Sequence, residues 1–427
     1  MKKRFIIAPS MLLLIALLFP LISANQIDSS SLAQQTALTQ IEEAKPVFKN
    51  PLSDLYKQRL TEAIEAYFNK AIAQKKIIGA AVGVVKCDSM VYLGGFGKRN
   101  SKENLTIDAE TVFRIGSVSK GFAGILAGIQ VQEGKLNWDD KVQDHIPTFQ
   151  LASKKKTEEI TLSHILSHTS GLPYHSYTNL VEDGVDLEVI AADFKKIQTI
   201  GNPGSVYSYQ NAAFALGGTM IEKVTGNSYS KEIADKIFTP LDMTTASTDY
   251  QSFINTDNIA YPHRKRYGRY RTVKINQKYY NAIAAGGVNA SVTDMSKYMR
   301  FLLGHNQDVL GTNIMNEVFN SNIQIEGRSK YYQKWSGHQA SYYGLGWRIH
   351  TFKNNRTGEI SKMIHHGGHV NSYRSEIAIY PEEDLGITVL FNSPTKLART
   401  VIPDIKAIVK QIMELPEEEF VEEIAEL

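Results

Sequence analysis

The chain has 427 residues, 10% of them aromatic and 21% charged, with a formal net charge of +3 and one cysteine. A single core rarely grows beyond about 250–300 residues, so two lobes or two domains are expected. Lys2, Lys3 and Arg4 carry the whole charge excess, which argues against nucleic acid as a partner, and one cysteine excludes a fold stapled by intrachain disulfides.

Lys2 to Arg4 form a positive start, Phe5 to Ile22 an uncharged apolar run, and Ser23-Ala24 a small-residue site. Residues 1–24 therefore read as a secretory signal peptide, which predicts an exported, periplasmic or secreted protein. The alternative is an uncleaved anchor through residues 5–22, the only form in which a membrane is a partner. Residues 25–50 are polar and Gln/Ser/Thr-rich, a linker to the folded body. Cys87 is expected to be a buried hydrophobe.

A helix is predicted from a cap at Ser53 or Asp54 to about Lys76, with Leu60, Ile64, Tyr67/Phe68 and Ala71/Ile72 on its buried face. Ala80–Val85 and Met90–Phe96 read as strands joined by a turn at Cys87-Asp88-Ser89. Thr111–Ile115 is a third strand. It leads into Ser117-Val118-Ser119-Lys120, where a helix begins at or just before Ser117. Ser117 and Lys120 are one turn apart and share a face. A serine hydroxyl needs a neighbour to take its proton, and a lysine can do so only if burial or a nearby cation lowers its pKa. The uncharged run Gly121–Val131 predicts that this helix is buried. Taken alone, the pair is also what an ordinary helix start looks like.

The middle third is helix-rich. Thr161–Leu172 is expected as one helix with a Gly stop, residues 183–200 as helix or loop, Asn211–Val224 as a helix ending at Gly226, and Ser230–Phe238 as another. Residues 261–280 are basic and aromatic. They read as an exposed hairpin, or as a lip for an anionic or sugar-bearing substrate. A helix at Thr293–Leu303, capped by Thr293 or Asp294, is followed by strands at 343–350, 361–366, 374–380 and 387–392. Pro381 to Asp384 make a turn. Ile402, Ile405, Val409 and Ile412 mark a terminal amphipathic helix. Residues 414–427 hold seven glutamates and read as a solvated tail.

This order predicts an α+β fold: one antiparallel sheet from both chain ends, flanked by the N- and C-terminal helices, plus a mainly helical lobe. The boundaries are a sheet lobe of 51–136 and 285–413 and a helical lobe of 137–284. The site is expected in the cleft between them.

Three stretches then belong together: Ser117-Val118-Ser119-Lys120; Pro203 to Asn211, directly before a helix; and His366-Gly367-Gly368-His369. Their order resembles the serine β-lactamase and penicillin-binding-protein superfamily, and its class C β-lactamase-related branch in particular, over roughly residues 52–413. Supporting stretches are 168–172, 240–243, Ala285-Gly286-Gly287 and Tyr343-Gly344-Leu345-Gly346-Trp347. The resemblance implies a serine acyl hydrolase without a cofactor, acting on peptides, esters or cell-wall-derived substrates. It makes Ser117 the acylated serine, Lys120 its partner, Tyr209 rather than Tyr207 the proton carrier, and Asn211 a substrate amide contact. Whether Lys120 or Tyr209 is the acylation base stays open. His366 rather than His365 takes the place of the family's third-motif lysine. Gly367, Gly368 and His369 border the substrate, with the oxyanion hole formed by the N–H groups of Ser117 and His369. Ser372 replaces the glycine usual in the following turn. Histidine in place of lysine removes a permanent cation, which argues against efficient turnover of carboxylate-bearing β-lactams. A catalytically idle relative that binds cell-wall peptides or acts as a scaffold is the alternative. His164 and His168 lie four apart but lack a third ligand, so no metal site is expected.

Overall fold

A computed structural model of the chain describes residues 54–414. The export segment, the linker, the Ser53 cap and the tail beyond Glu414 fall outside the described residues.

The strands, in chain order, are β1 (Gly79–Lys86), β2 (Ser89–Gly97), β3 (Phe113–Arg114), β4 (His263–Arg266), β5 (Arg269–Thr272), β6 (Asn289–Ala290), β7 (Ile323–Gln324), β8 (His338–Tyr343), β9 (Arg348–Lys353), β10 (Ile360–Val370), β11 (Tyr373–Tyr380) and β12 (Leu385–Phe391). Eight of them form one sheet in the order β2-β1-β12-β11-β10-β9-β8-β7. Every neighbouring pair is antiparallel. The five longest helices are α1 (Asp54–Ala73), α2 (Ser119–Gln132), α3 (Asn211–Thr225), α4 (Val292–Leu302) and α5 (Val401–Glu414).

Strand alternation sorts the core into two layers. Ala80, Val82 and Val84 of β1 and Ile387 and Val389 of β12 face α1 and α5, whose Leu60, Ile64, Phe68, Ile402 and Ile405 are buried against them. Each of the valine, leucine, isoleucine and phenylalanine side chains so removed from water contributes roughly 1.5–3 kcal/mol. A hydrogen bond of 2.6 Å from the Tyr67 hydroxyl to Asp404 joins the two helices. Ala81 and Val85 point the other way, into a core that runs through α2 and α4 and on into the helical lobe at Phe149, Leu162, Phe194 and Phe214. The two lobes therefore share one apolar interior, with α2 at its centre. Residues 119–130 are all buried, as their lack of charge predicts. Gly124 is required there: a Cβ would lie 1.9 Å from the Leu345 carbonyl, so a larger residue would push away the turn between β8 and β9.

Four local expectations change. Cys87 is exposed, because it occupies the tight β1–β2 turn with φ of 47°, where no core side chain can sit. Residues 161–172 are not one helix. The helix Leu162–Leu166 is opened by a Thr161/His164 capping box and is over by Ser167, and His168 has already turned to φ of 62°. Residues 343–350 are not one strand, since Gly344 to Trp347 form the turn that separates β8 from β9. The cap of α4 is Ser291, with Asp294 completing a capping box. The basic segment forms the hairpin β4–β5, with Tyr267 at its exposed tip. No helix among the described residues is long and apolar enough to cross a membrane.

Candidate active site

Ser117 sits in a single 3-10 turn, Gly116–Val118, that runs straight into α2. Two hydrogen bonds with Val288 fix this turn. Ile115 N–H donates to the Val288 carbonyl at 3.1 Å, and Val288 N–H donates to Ser119 Oγ at 3.0 Å. Beneath it, Arg114 is fully buried and donates to the Asn276 carbonyl at 2.7 Å, while its guanidinium stacks 4.4 Å from the Tyr280 ring. Arg114 thereby holds the segment that carries Tyr279 into the site.

Lys120 is fully buried one turn after Ser117. Its Nζ lies 2.8 Å from Asn211 Oδ1, 2.8 Å from the Ala285 carbonyl and 3.5 Å from Ser117 Oγ. An ammonium has three protons, and these are its three acceptors. After losing one proton, the amine keeps both oxygen partners and turns its lone pair towards Ser117. Burial, and secondarily the Arg348 cation, hold Lys120 well below the ordinary lysine range. Asn211, at the first position of α3, is itself fixed by a 3.0 Å bond from its Nδ2 to Tyr279 Oη.

Tyr209, two residues before Asn211, brings the helical lobe against these groups. Its ring centre is 4.8 Å from Lys120 Nζ, and its phenol hydrogen-bonds Ser117. Burial pushes that phenol up to about 12, against the opposing pull of Arg348 and of the Ser117 hydrogen bond. The ring packs 4.2 Å from the ring of His168, whose Nδ1 accepts from Gln210 N–H at 3.1 Å. Tyr207 instead packs against Tyr343, with ring centres 5.5 Å apart. His164 completes its own helix cap. The two histidines that stand four apart in the chain thus serve different local structures.

The motif 366–369 lies in the last part of β10, which passes directly against the Ser117 turn. A Cβ on Gly368 would stand 1.9 Å from the Ile115 carbonyl, and one on Gly116, at φ of 54°, would stand 2.8 Å from His369 N. Only glycine at both positions lets the two backbones meet. His366 is fully buried. Its Nδ1 donates to the Gly367 carbonyl at 2.9 Å, so Nε2 accepts from Tyr343 Oη at 2.9 Å. Burial, with the nearby Arg348 and Lys120 cations, holds its pKa well below the usual histidine range. His366 therefore offers neither charge nor a free donor to a ligand. His365 points to the opposite face and bonds Glu376 at 2.9 Å. Gly367 lies over that carboxylate, and the His369 side chain is exposed at the rim. In the next turn Ser372 is left-handed, with φ of 73°, where the resembled family has glycine.

The sequence reading missed three groups. The Ala285 carbonyl lies in a quoted stretch, but a backbone acceptor has no side-chain signal. Tyr279 lies in the basic-aromatic segment. Arg348 directly follows the quoted Tyr343-to-Trp347 stretch. Its guanidinium lies 5.3–5.9 Å from the ring centres of Tyr332, Tyr209 and Tyr343.

Known proteins resemble this chain over most of its length. The family model described as "Beta-lactamase" fits residues 64–409. Protein flp of Staphylococcus aureus is 25% identical over 338 residues, covering 78% of this chain and 63% of that protein. The chain thus spans somewhat under two thirds of that relative's length. A protein of Escherichia coli named beta-lactamase is 23% identical over 365 residues, covering 78% of this chain and 89% of that one. The solved structure of an octameric penicillin-binding protein homologue from Pyrococcus abyssi superposes with a TM-score of 0.69 at 27% identity, covering 81% of this chain and 77% of that chain.

Proposed function

The chain belongs to the beta-lactamase family, and from its site we propose that it is an exported serine acyl hydrolase working through an acyl-enzyme on Ser117. The observation that carries this is the set of three acceptors around Lys120 Nζ, of which Ser117 Oγ is the one that can give up a proton. Lys120 takes that proton as Oγ bonds to the substrate carbonyl carbon. The oxyanion forms beside the N–H groups of Ser117 and His369. The phenol of Tyr209 then donates its proton to the leaving nitrogen or oxygen as that bond breaks, and is reprotonated from Lys120. A phenol near 12 suits this role of donor better than that of resting base, which favours Lys120 as the base of acylation.

The substrates are peptides of D-amino-acid or peptidoglycan type, or esters. Turnover of β-lactams is expected to be weak. Among the described residues, the hydrogen bonds of Ser117 and Lys120 go to no carboxylate that could activate a deacylating water.

Intact mass spectrometry after exposure to a fluorophosphonate, and separately to a penicillin, tests the reading. Wild type should gain one adduct and Ser117→Ala none, with hydrolysis reduced at least about 10³-fold. A folded wild type that stays unlabelled would leave a binding or scaffold protein. D-alanyl peptides, nitrophenyl esters and cephalosporins then sort the substrates.

A further inference from the structure

Strand alternation sorts the cations of the β4–β5 ribbon. Arg264 stands opposite Arg271, and Arg266 opposite Arg269. Directly opposed residues, and residues two apart, share a face, so four arginines crowd one side of the ribbon. All four are exposed. The other side faces the protein. There Lys265 and Tyr270 both donate to the Lys75 carbonyl, and Thr272 Oγ1 donates to Asn100 Oδ1 at 2.8 Å. Like charges directly opposite each other destabilise a ribbon. Among the described residues the arginines in ion pairs are Arg59, Arg300 and Arg374, so no carboxylate offsets the repulsion within the ribbon. The tip carries a second cost. Tyr267 takes φ of 48°, where hairpin turns prefer Asn, Asp or Gly. It is 86% exposed, with the Arg266 guanidinium 5.2 Å from its ring centre.

We propose that this face of the ribbon docks on an anionic lipid bilayer, with the arginines on headgroup phosphates and the Tyr267 ring in the interfacial layer. Guanidiniums meet phosphate oxygens with paired N–H donors, and an amphipathic ring favours the boundary between water and lipid. Shape selects a surface over a polymer strand or a small ligand. Those are held in grooves and clefts, whereas Tyr267 is the convex end of a ribbon. The chain's own acidic tail follows α5, which runs past the other end of β1. There Lys406 pairs with Glu383 at 2.5 Å, and the Glu383 carbonyl accepts from Lys86. The ribbon is tied at Lys75, before the first residue of β1, about 25 Å away along that strand. At its base Arg264 Nε donates to Ser372 Oγ at 3.1 Å, so docking brings the turn after β10, and the rim of the Ser117 site, to the bilayer. The sequence alone gave a membrane contact only to an uncleaved apolar start. This contact belongs to the folded body and does not depend on the hydrolase reading.

The test uses the full chain and vesicles of phosphatidylcholine, alone or mixed with about one third phosphatidylglycerol. Each basic residue near an anionic leaflet strengthens binding roughly fivefold. Wild type should therefore partition at least about a hundredfold more strongly onto the anionic vesicles, and high salt should abolish the excess. The double variant Arg266→Gln with Arg269→Gln should lose about 25-fold of it, and Tyr267→Ser a smaller factor. The double variant relieves one opposed pair, so its melting temperature should not fall, which shows that it is folded. Equal partition of wild type onto both lipids, or a double variant that keeps the excess, would overturn the proposal. An apolar start left in place adds equally to every variant, and a label at the tip reads the ribbon alone. With Cys87→Ser and Tyr267→Cys, an environment-sensitive dye should shift to the blue with anionic vesicles only. Bound protein whose dye does not shift would place the contact elsewhere and refute the assignment. Binding of soluble polyphosphate without binding of vesicles would make the partner a polymer instead. Vesicle binding that appears only after removal of residues 415–427 would make the tail the occupant of this face.

Discussion

Lys120 Nζ and Asn211 Oδ1 are 2.8 Å apart, so the buried lysine meets an amide where a structural lysine would meet a carboxylate. The amide aims the amine without stabilising its charge. Burial therefore dominates and favours the neutral form.

Asn211→Asp should undo this. A carboxylate at the same distance favours the ammonium, so the pKa of Lys120 rises. Acylation needs the neutral amine, so the acid limb of the kcat/KM profile should move to higher pH, with at least about a tenfold loss at pH 7. An unshifted limb in the variant would rule out Lys120 as the titrating base.

Tyr209→Phe removes the phenol but keeps the ring against His168 and over the Lys120 amine. kcat should fall about 10²–10⁴-fold, the range of a lost general acid, while the melting temperature stays close to wild type. A leaving group with a low pKa, such as nitrophenol, needs less help from a proton and should lose least. Equal losses for amide and nitrophenyl substrates would contradict the proton-donor role.

Gly368→Ala places a methyl where the Ile115 carbonyl now stands. The strand must retreat from the Ser117 turn and take the His369 N–H with it. kcat should fall about 10²–10³-fold, the size of a lost oxyanion donor. Fluorophosphonate labelling should slow in parallel. Full-rate labelling would show that this strand edge does not form the hole.

Glu376→Gln tests the buried cluster under the same strand. Burial raises the pKa of Glu376, but Arg374, His365 and Tyr331 outweigh it, and the net shift is downward. A depressed carboxylate contributes stability above its unfolded pKa and loses it as pH falls through the folded value. The substitution leaves Arg374 without its anion and should cost about 3 kcal/mol at pH 7. The difference from wild type should shrink as pH falls below about 4. A difference independent of pH would mean that the loss is one of packing alone.

Much of this was legible in the chain. The uncharged run after Lys120 announced a buried helix, and Gly226, at φ of 71°, ends α3 as its position suggested. Alternating apolar residues located most strands. Period and punctuation carry little information on how far an element extends, so 343–350 looked continuous although Gly346, at φ of 88°, turns the chain. Distance is also invisible in a sequence. Lys120 and the Ala285 carbonyl touch across 165 residues. Nothing around position 348 announces that its guanidinium would stand over three tyrosine rings while the charge of His366 is extinguished.

The pairing of β1 with β12 has a consequence for the order of events during synthesis. Ala80 hydrogen-bonds at the register of Phe391, so the middle of the sheet cannot assemble until some three hundred intervening residues have been made. Contacts that distant slow folding and leave apolar edges uncovered in the meantime. The nascent polymer must therefore emerge with its first strands unmatched, in the open state that a translocation channel threads or a chaperone shields.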